Sequence, residues 1–472
     1  MVIGVAFGLM SAFFMAGLYV AGALGVMSLI IMKFFSDAPL WNVMSNKAWE
    51  ANTSFILTAI PLFILMGELM VRSGIAELMF RALTRWLFWI PGGLIHTNIM
   101  SCAIFAACSG SSAATAATIS RVSLPSFRAR GYNDRLVLGS LAAGGTLGIL
   151  IPPSISFIIY GVLVEESIGR LYLAGFMPGF LLAGVFMVMI AIVSMISKGV
   201  APREQGSLWN LEQWGLRFFG LVTMIPVFLI IFVVLGTIYL GIATPTEAAA
   251  FGVTGAFILA VINNSWSVIG AALRGTANKQ QVDVALQENL KMLKDATLST
   301  ARTTGMIFLI VLAAFTLSFA FARLGVSQSL ALWVTGFGLS PLALLAALVV
   351  FYLILGTFME SFAMLVTTIP ILVPILIASK IDLVWFGVIM VILVEAALIS
   401  PPEGINLYVL HGIRQDVARE GAQAEGGQAT TGTIGDVWIG VLPFMLCMAI
   451  VIALIMAFPQ IALWLPNLVK GK

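Results

Sequence analysis

The chain has 472 residues, 60% of them hydrophobic and only 10% charged, with a formal net charge of +3. A soluble domain carries about 25% charged residues, so the composition excludes a water-soluble enzyme or a nucleic-acid partner and fits a polytopic helical protein of a lipid bilayer. No P-loop is present, so the chain does not hydrolyse ATP itself, and no nucleophile–base pair stands out. No catalytic role is expected.

Apolar stretches long enough to span a bilayer are predicted at roughly 2–32, 53–71, 136–164, 171–197, 218–240, 244–262, 303–322, 383–411 and 437–459. The first is one tilted span or two short ones, and it is too long for the h-region of a signal peptide. Residues 72–90 place Ile75, Leu78, Met79, Leu83, Trp86 and Leu87 on one helical face, which predicts an amphipathic helix on the membrane surface. A second surface helix is expected at 283–298, and 421–432 reads as a flexible loop. Two further apolar stretches, 91–120 and 341–379, are interrupted near their middles by small and polar residues, which predicts re-entrant hairpins. Cys102, Cys108 and Cys447 have no metal spacing, and His96 and His411 read as packing or polar lining.

Basic residues orient the segments by the positive-inside rule. Arg121, Arg128, Arg130 and Arg135 follow the first hairpin, and Arg72, Arg81 and Arg85 precede it, so it is expected to enter from the cytoplasm. Lys198, Arg203, Arg274, Lys279, Lys291, Lys294 and Arg302 place the 198–217 and 264–302 loops inside, and Arg414 and Arg419 do the same for 412–436. The flanks of the second hairpin, near Arg323 and Lys380, fall outside.

Three pairs of segments match in order at nearly constant offset: "RSGIAEL" with "RLGVSQS", "SSAATAATI" with "SFAMLVTTI", and "IPPSISFIIYG" with "SPPEGINLYVLHG". An odd connecting span, 218–240, inverts the second copy. The expected fold is therefore all-α and polytopic, with two inverted repeats that carry re-entrant helical hairpins and broken helices, the usual basis of a secondary transporter.

Each copy pairs a polar hairpin tip with a helix break. The first tip is Ser109-Gly110-Ser111-Ser112, and its break runs from Gly144 to Gly148 and on to Pro152, Pro153 and Ser154. The second tip runs from Gly356 and Thr357 through Phe358 to Glu360 and Ser361, and its break comprises Ser400-Pro401-Pro402-Glu403-Gly404 and Asn406. Proline removes a donor and splits the hydrogen-bond ladder, and glycine lets backbones approach. Freed carbonyls and hydroxyls form an oxygen shell suited to a hard cation, and half-helix N-termini face an anion. The candidate cation ligands are Ser109, Gly110, Ser111, Ser112, Gly145, Gly148, Pro152, Gly356, Thr357, Glu360, Ser400, Pro401 and Gly404. The candidate substrate contacts are Ser112, Ser154, Ser156, Thr357, Ser361 and Asn406. Sodium is favoured over protons because the breaks offer mostly neutral oxygens. A proton role for Glu68, Glu247, Glu360, Glu395 or Glu403 stays open, since an intramembrane carboxylate is a functional candidate by default. For Ala113, Ala114, Ala116 and Ala117, close helix packing is the preferred reading.

At "ACSGSSAATAATI", "GGTLGILIPPSI", "ATPTEAAAFG", "GTFMESFAMLVTTIPILVPI" and "ISPPEGINLYVLHGI", the sequence resembles the large membrane subunit of the tripartite ATP-independent periplasmic (TRAP) transporters, of the DctM/SiaM type. Gly17-Leu18-Tyr19 lacks the proline such subunits often carry near their start. The resemblance implies a multi-pass protein of the bacterial inner membrane that takes up a small organic anion (a C4-dicarboxylate, sialic acid or similar carboxylate) with sodium, at two or more sodium sites. It implies two partners: a small four-span membrane subunit and a periplasmic substrate-binding protein. It also implies an elevator-type scaffold plus transport domain, divided as follows. Residues 1–90 and 303–340 would be scaffold and arms, 91–170 and 341–412 the hairpins and broken helices, 171–302 scaffold with its amphipathic linker, and 413–472 a cytoplasmic loop and a C-terminal scaffold helix. The alternative is a stand-alone sodium- or proton-coupled anion carrier of a related hairpin fold.

Overall fold

A computed structural model describes every residue except 1, 37–39, 198, 203–210, 275, 277, 358, 426–431 and 471–472. Lys198, Arg203, Phe358 of the second tip and residues 426–431 of the 421–432 loop therefore lie outside the described residues. The described chain is helical, without strands. Helices α1 (Val2–Met15) and α2 (Val20–Phe35) divide the first apolar stretch in two at Gly17, whose φ of +72° ends α1. Then come α3 (Leu40–Thr53), a 3-10 turn at Phe55–Thr58, α4 (Ala59–Arg72) and α5 (Ile75–Leu87). The first hairpin is α6 (Leu94–Ser109) and α7 (Ser112–Ala129), the first broken span is α8 (Asp134–Leu150) and α9 (Ile155–Val164), and α10 (Ile168–Ile196) closes the half. Helices α11 (Leu211–Tyr239), α12 (Pro245–Asn264) and α13 (Trp266–Leu273) connect the halves.

The same succession then recurs. It runs α14 (Lys279–Arg323), α15 (Val326–Thr335), the hairpin α16 (Pro341–Leu355) and α17 (Ser361–Ala378), the broken span α18 (Leu383–Leu398) and α19 (Ile405–Glu425), and α20 (Ile434–Ala457), followed by α21 (Gln460–Lys470). The arms α5 and α15 both start behind a left-handed glycine, Gly74 at φ +72° and Gly325 at φ +65°, within the matching "RSG" and "RLG".

Three sequence expectations are corrected. Residues 283–298 do not form a separate surface helix: they are the N-terminal part of the 45-residue α14, about 68 Å long at 1.5 Å per residue. No proline interrupts 279–323, so the polar segment and the apolar span share one hydrogen-bond ladder. The first break is shorter than expected: Gly144–Gly148 stay helical within α8, which runs to Leu150, and the interruption is confined to residues 151–154, because glycine alone leaves the hydrogen-bond ladder intact whereas Pro152 and Pro153 break it. Likewise, 412–425, read as the start of a loop, continues α19.

Helices α8 and α18 are apolar on every side and lie in the middle of the protein, with Leu136–Leu150 and Phe386–Ala397 buried throughout. By contrast, α11 exposes Phe218, Phe219, Val222, Ile225, Leu229 and Phe232, a face suited to lipid or to another apolar chain. The amphipathic arm α5 buries Ile75, Met79 and Leu83. It docks on α11 through Trp86, whose Nε1 donates to the Arg217 carbonyl at 3.3 Å and whose ring meets Trp214 and Phe218 edge-on.

Helix α20 packs along α8 at a crossing of two glycines. A Cβ on Gly139 would lie 1.9 Å from the Gly440 carbonyl oxygen, and one on Gly440 would lie 2.1 Å from that of Arg135. Close backbone approach through small residues is the main adhesive between helices in lipid. Ion pairs fasten the same end: Arg135 Nε lies 3.0 Å from Asp436, and the buried Arg414 lies 2.7 Å from Asp134 and 3.6 Å from Asp436. Gly440→Leu is therefore expected to lower the melting temperature of the purified protein, with an overpacking cost of about 3 kcal/mol or more. Gly184→Leu, at a glycine facing open space, is the control and should leave it unchanged; equal melting temperatures would contradict the crossing.

Candidate functional site

The first tip forms where α6 stops. Gly110 takes φ +59° and caps α6, and Ser111 reverses the chain in an extended conformation as the N-cap of α7, its hydroxyl accepting from Ala114 N at 3.4 Å. Proline at 152 and 153 breaks the ladder between α8 and α9, which bend by 43°. Ser154 restarts the helix by accepting from Phe157 N at 3.4 Å. Both Pro-Pro bonds, 152–153 and 401–402, are cis.

Tip and break meet without side chains between them. A Cβ on Gly148 would sit 2.7 Å from the Ser111 carbonyl oxygen, and one on Gly145 would sit 2.6 Å from the Ala116 Cβ and 3.3 Å from the Ser112 carbonyl oxygen. On the other side, a Cβ on Gly110 would lie 3.3 Å from the Pro153 carbonyl oxygen. The structure thus brings together Gly110, Ser111, Ser112, Gly145 and Gly148 with the 152–153 turn. The donor set is all backbone and hydroxyl oxygen, which fits a hard monovalent cation and not a thiolate- or imidazole-seeking metal.

In the second half, Gly356 caps α16, and a Cβ on it would lie 2.4 Å from that of Ala397 at the end of α18. Glu360 is the N-cap of α17 and accepts from Ala363 N at 3.1 Å. A cavity of about 300 Å³ separates this tip from its break, lined by Gly356, Thr357, Glu360 and Ser361 on one side and Leu398 and Glu403 on the other. Gly404 tucks under the end of α18, where a Cβ would sit 2.7 Å from the Leu398 carbonyl oxygen.

Several candidate groups already have internal partners. The Ser109 hydroxyl is 2.6 Å from that of Thr115, the Thr357 hydroxyl donates to Ile354 O at 2.7 Å, and the Ser400 carbonyl accepts from Gly404 N at 2.9 Å. Pro401 stands in the turn between α18 and α19. Ser156, Ser361 and Asn406 differ: all three are buried, and neither the two hydroxyls nor either amide atom of Asn406 has a hydrogen-bond partner. Unpaired buried polar atoms of this kind call for a ligand, an ion or water.

One residue joins the halves directly. Glu395, fully buried on α18, accepts from the Ser112 hydroxyl with both carboxylate oxygens at 2.9 Å and from Ile149 N at 3.2 Å. The sequence marks it only as one of five intramembrane carboxylates. Of the others, Glu68 pairs with Arg72 at 3.0 Å and accepts from Ser299 at 2.7 Å, and Glu247 closes a capping box with Thr244.

Among the described residues, seven helices are long and apolar enough to cross a membrane, or eight if the bent α8–α9 pair counts as one span. Such helices around two tip-and-break pairs have the build of a membrane transporter. The description "Tripartite ATP-independent periplasmic transporter, DctM component" matches residues 7–461. The chain belongs to this family and is a multi-pass protein of the inner membrane. It is 32% identical over 448 residues to the C4-dicarboxylate TRAP transporter large permease protein DctM of Pseudomonas aeruginosa, covering 94% of each chain. It is 32% identical over 474 residues to the sialic acid large permease SiaM of Vibrio cholerae, covering 99% of each. The isethionate permease DctMQ of Oleidesulfovibrio alaskensis is 30% identical over 87% of this chain and 60% of that protein. Among solved structures, the YdaH transporter of Alcanivorax borkumensis shares the fold at a TM-score of 0.59 and 13% identity, over 95% of this chain and 97% of that one.

The glycine contacts generate a test that needs no substrate. Cys108, beside the first tip, is fully buried. Gly148→Ala forces the tip off α8, at an overpacking cost of about 1–3 kcal/mol, and should raise maleimide labelling of Cys108 on the order of tenfold or more, measured by peptide mass spectrometry. Labelling equal to wild type would contradict the close approach.

Proposed function

We propose that this TRAP large permease is the translocating subunit of a sodium-coupled uptake system for a small organic anion, delivered by a periplasmic binding protein and carried with a small membrane subunit. The single observation that carries the reading is the close packing of each tip on its broken span: Gly110 on the Pro153 carbonyl and Ser111 and Ser112 on the helical Gly145 and Gly148 in the first half, and Gly356 on Ala397 at the end of α18 in the second. Backbone at membrane depth is left unwound only where it is buried or faces a ligand.

Sodium moving down its transmembrane gradient would supply the driving force, and binding at these residues would couple it to uptake. The residues that would hold it are Gly110, Ser111, Ser112, Gly145, Gly148 and Pro152 in the first half and Gly356, Thr357, Glu360 and Gly404 in the second. The unpaired groups of Ser156, Ser361 and Asn406 are the favoured substrate contacts. C4-dicarboxylates, sialic acid and isethionate, named for the relatives, are all small organic anions, which supports that substrate class. The family implies both partner subunits, and the fused DctMQ relative is in keeping with a membrane partner.

For the motion, the repeated succession of elements supports two inverted repeats that exchange conformations. Helices α2, α4, α11, α12 and α14 pack on one another and suit a static scaffold. The glycine crossing of α8 with α20 favours placing α20 in the moving unit with both hairpins, not in the scaffold where its sequence position suggested.

Reconstitution in liposomes tests the proposal. With the small subunit and binding protein present, an inward sodium gradient should drive saturable uptake of a C4-dicarboxylate or sialic acid, and Ser111→Ala or Thr357→Ala should weaken its sodium dependence. Uptake by the chain alone would favour the stand-alone carrier, and uptake indifferent to sodium would overturn the coupling.

A further inference from the structure

We infer that Glu395 is the positioning residue of the first cation site, although it belongs to the other half of the chain. The inference rests on the sodium reading above and adds to it a residue that neither tip nor break contains.

Glu395 is fully buried, on a helix that is otherwise apolar from Leu383 to Leu398. Moving a carboxylate out of water costs several kcal/mol unless it is paired and hydrogen-bonded. Among the described residues Glu395 forms no ion pair; its partners are the Ser112 hydroxyl and the Ile149 amide.

The hydrogen-bond geometry sets the direction of the serine. A serine hydroxyl has one proton and two lone pairs. Both carboxylate oxygens stand 2.9 Å from Ser112 Oγ, so the proton is shared between them and the lone pairs turn away from Glu395. Ser112 is also the residue whose main chain lies against Gly145 and Gly148. Glu395 thereby fixes which way the hydroxyl of the first tip presents its lone pairs. Through Ile149, it also ties the end of α8 to the same point. A partner that orients a ligand in this way typically accounts for 10–100-fold in metal affinity. Because α18 is itself half of the second break, the residue links the state of the first site to the second half without any intervening side chain.

The test is a sodium titration of the purified full-length chain by thermal unfolding, with potassium holding the ionic strength constant. Wild type should be stabilised by sodium. Glu395→Gln should keep its melting temperature in potassium and raise the half-saturating sodium concentration by about 10–100-fold. Ser112→Ala should do the same, and the double variant should add little, since the two act as one unit. Glu395→Asp, shorter by one methylene, should fall between and serves if the glutamine variant does not fold. A lowered melting temperature in potassium with an unchanged sodium constant would mean a purely structural role and overturn the inference. Ser112→Ala shifted with Glu395→Gln unshifted would also overturn it, while leaving the sodium reading intact. Absence of any sodium effect on wild type would remove both.

Discussion

A backbone amide or carbonyl in hydrocarbon has no water to turn to, and the interruptions in each half of this protein are tolerable only because each tip packs on the broken span of its own half. The first tip is covered by the glycine side of α8, the second by the end of α18. Cβ atoms at Gly145, Gly148 or Gly356 would hold the tips off α8 and α18, exposing unpaired groups at a cost of several kcal/mol each. The rest of the architecture serves this contact. Helices α8 and α18 are almost wholly apolar because they must be surrounded: α6, α7 and α20 pack around α8, and α16, α17 and α20 around α18, with α10 against both. The outer helices carry the lipid-facing surface.

The same contact makes an ion-binding chemistry possible without any charged ligand at the first tip. The first tip supplies hydroxyl and main-chain oxygens, and the Glu395 carboxyl reaches its Ser112 from 283 residues away in sequence. The second tip is built differently, with Glu360 and Glu403 of its own around a cavity. The two halves thus place a carboxyl group near the tip in two ways: one brings it across from the other half, the other keeps it at its own tip and break.

What the sequence revealed is what acts locally. Pro152-Pro153, Pro401-Pro402 and the glycines of the tips mark interruptions because their effects are confined to a few residues of main chain. The family was equally legible, since its motifs sit at those interruptions. The partners of Glu395 were not, because nothing in "VILVEAAL" says which distant hydroxyl it meets. The continuity of α14 was missed for another reason: a change from polar to apolar surface suggested two elements, although between Lys279 and Arg323 there is no proline and only Gly305 as a weak breaker. The α8–α20 crossing depends on Gly139 and Gly440, two glycines among 45, and only three-dimensional proximity distinguishes them from the others.

The central claim is that the paired interruptions are where cations bind. Hydrogen–deuterium exchange of the purified protein, compared in sodium and in an impermeant organic cation, addresses it at the level of individual segments. The account requires added protection confined to peptides covering 109–115, 144–155, 356–363 and 398–406. Protection spread evenly over the chain, or none in those four segments, would contradict it.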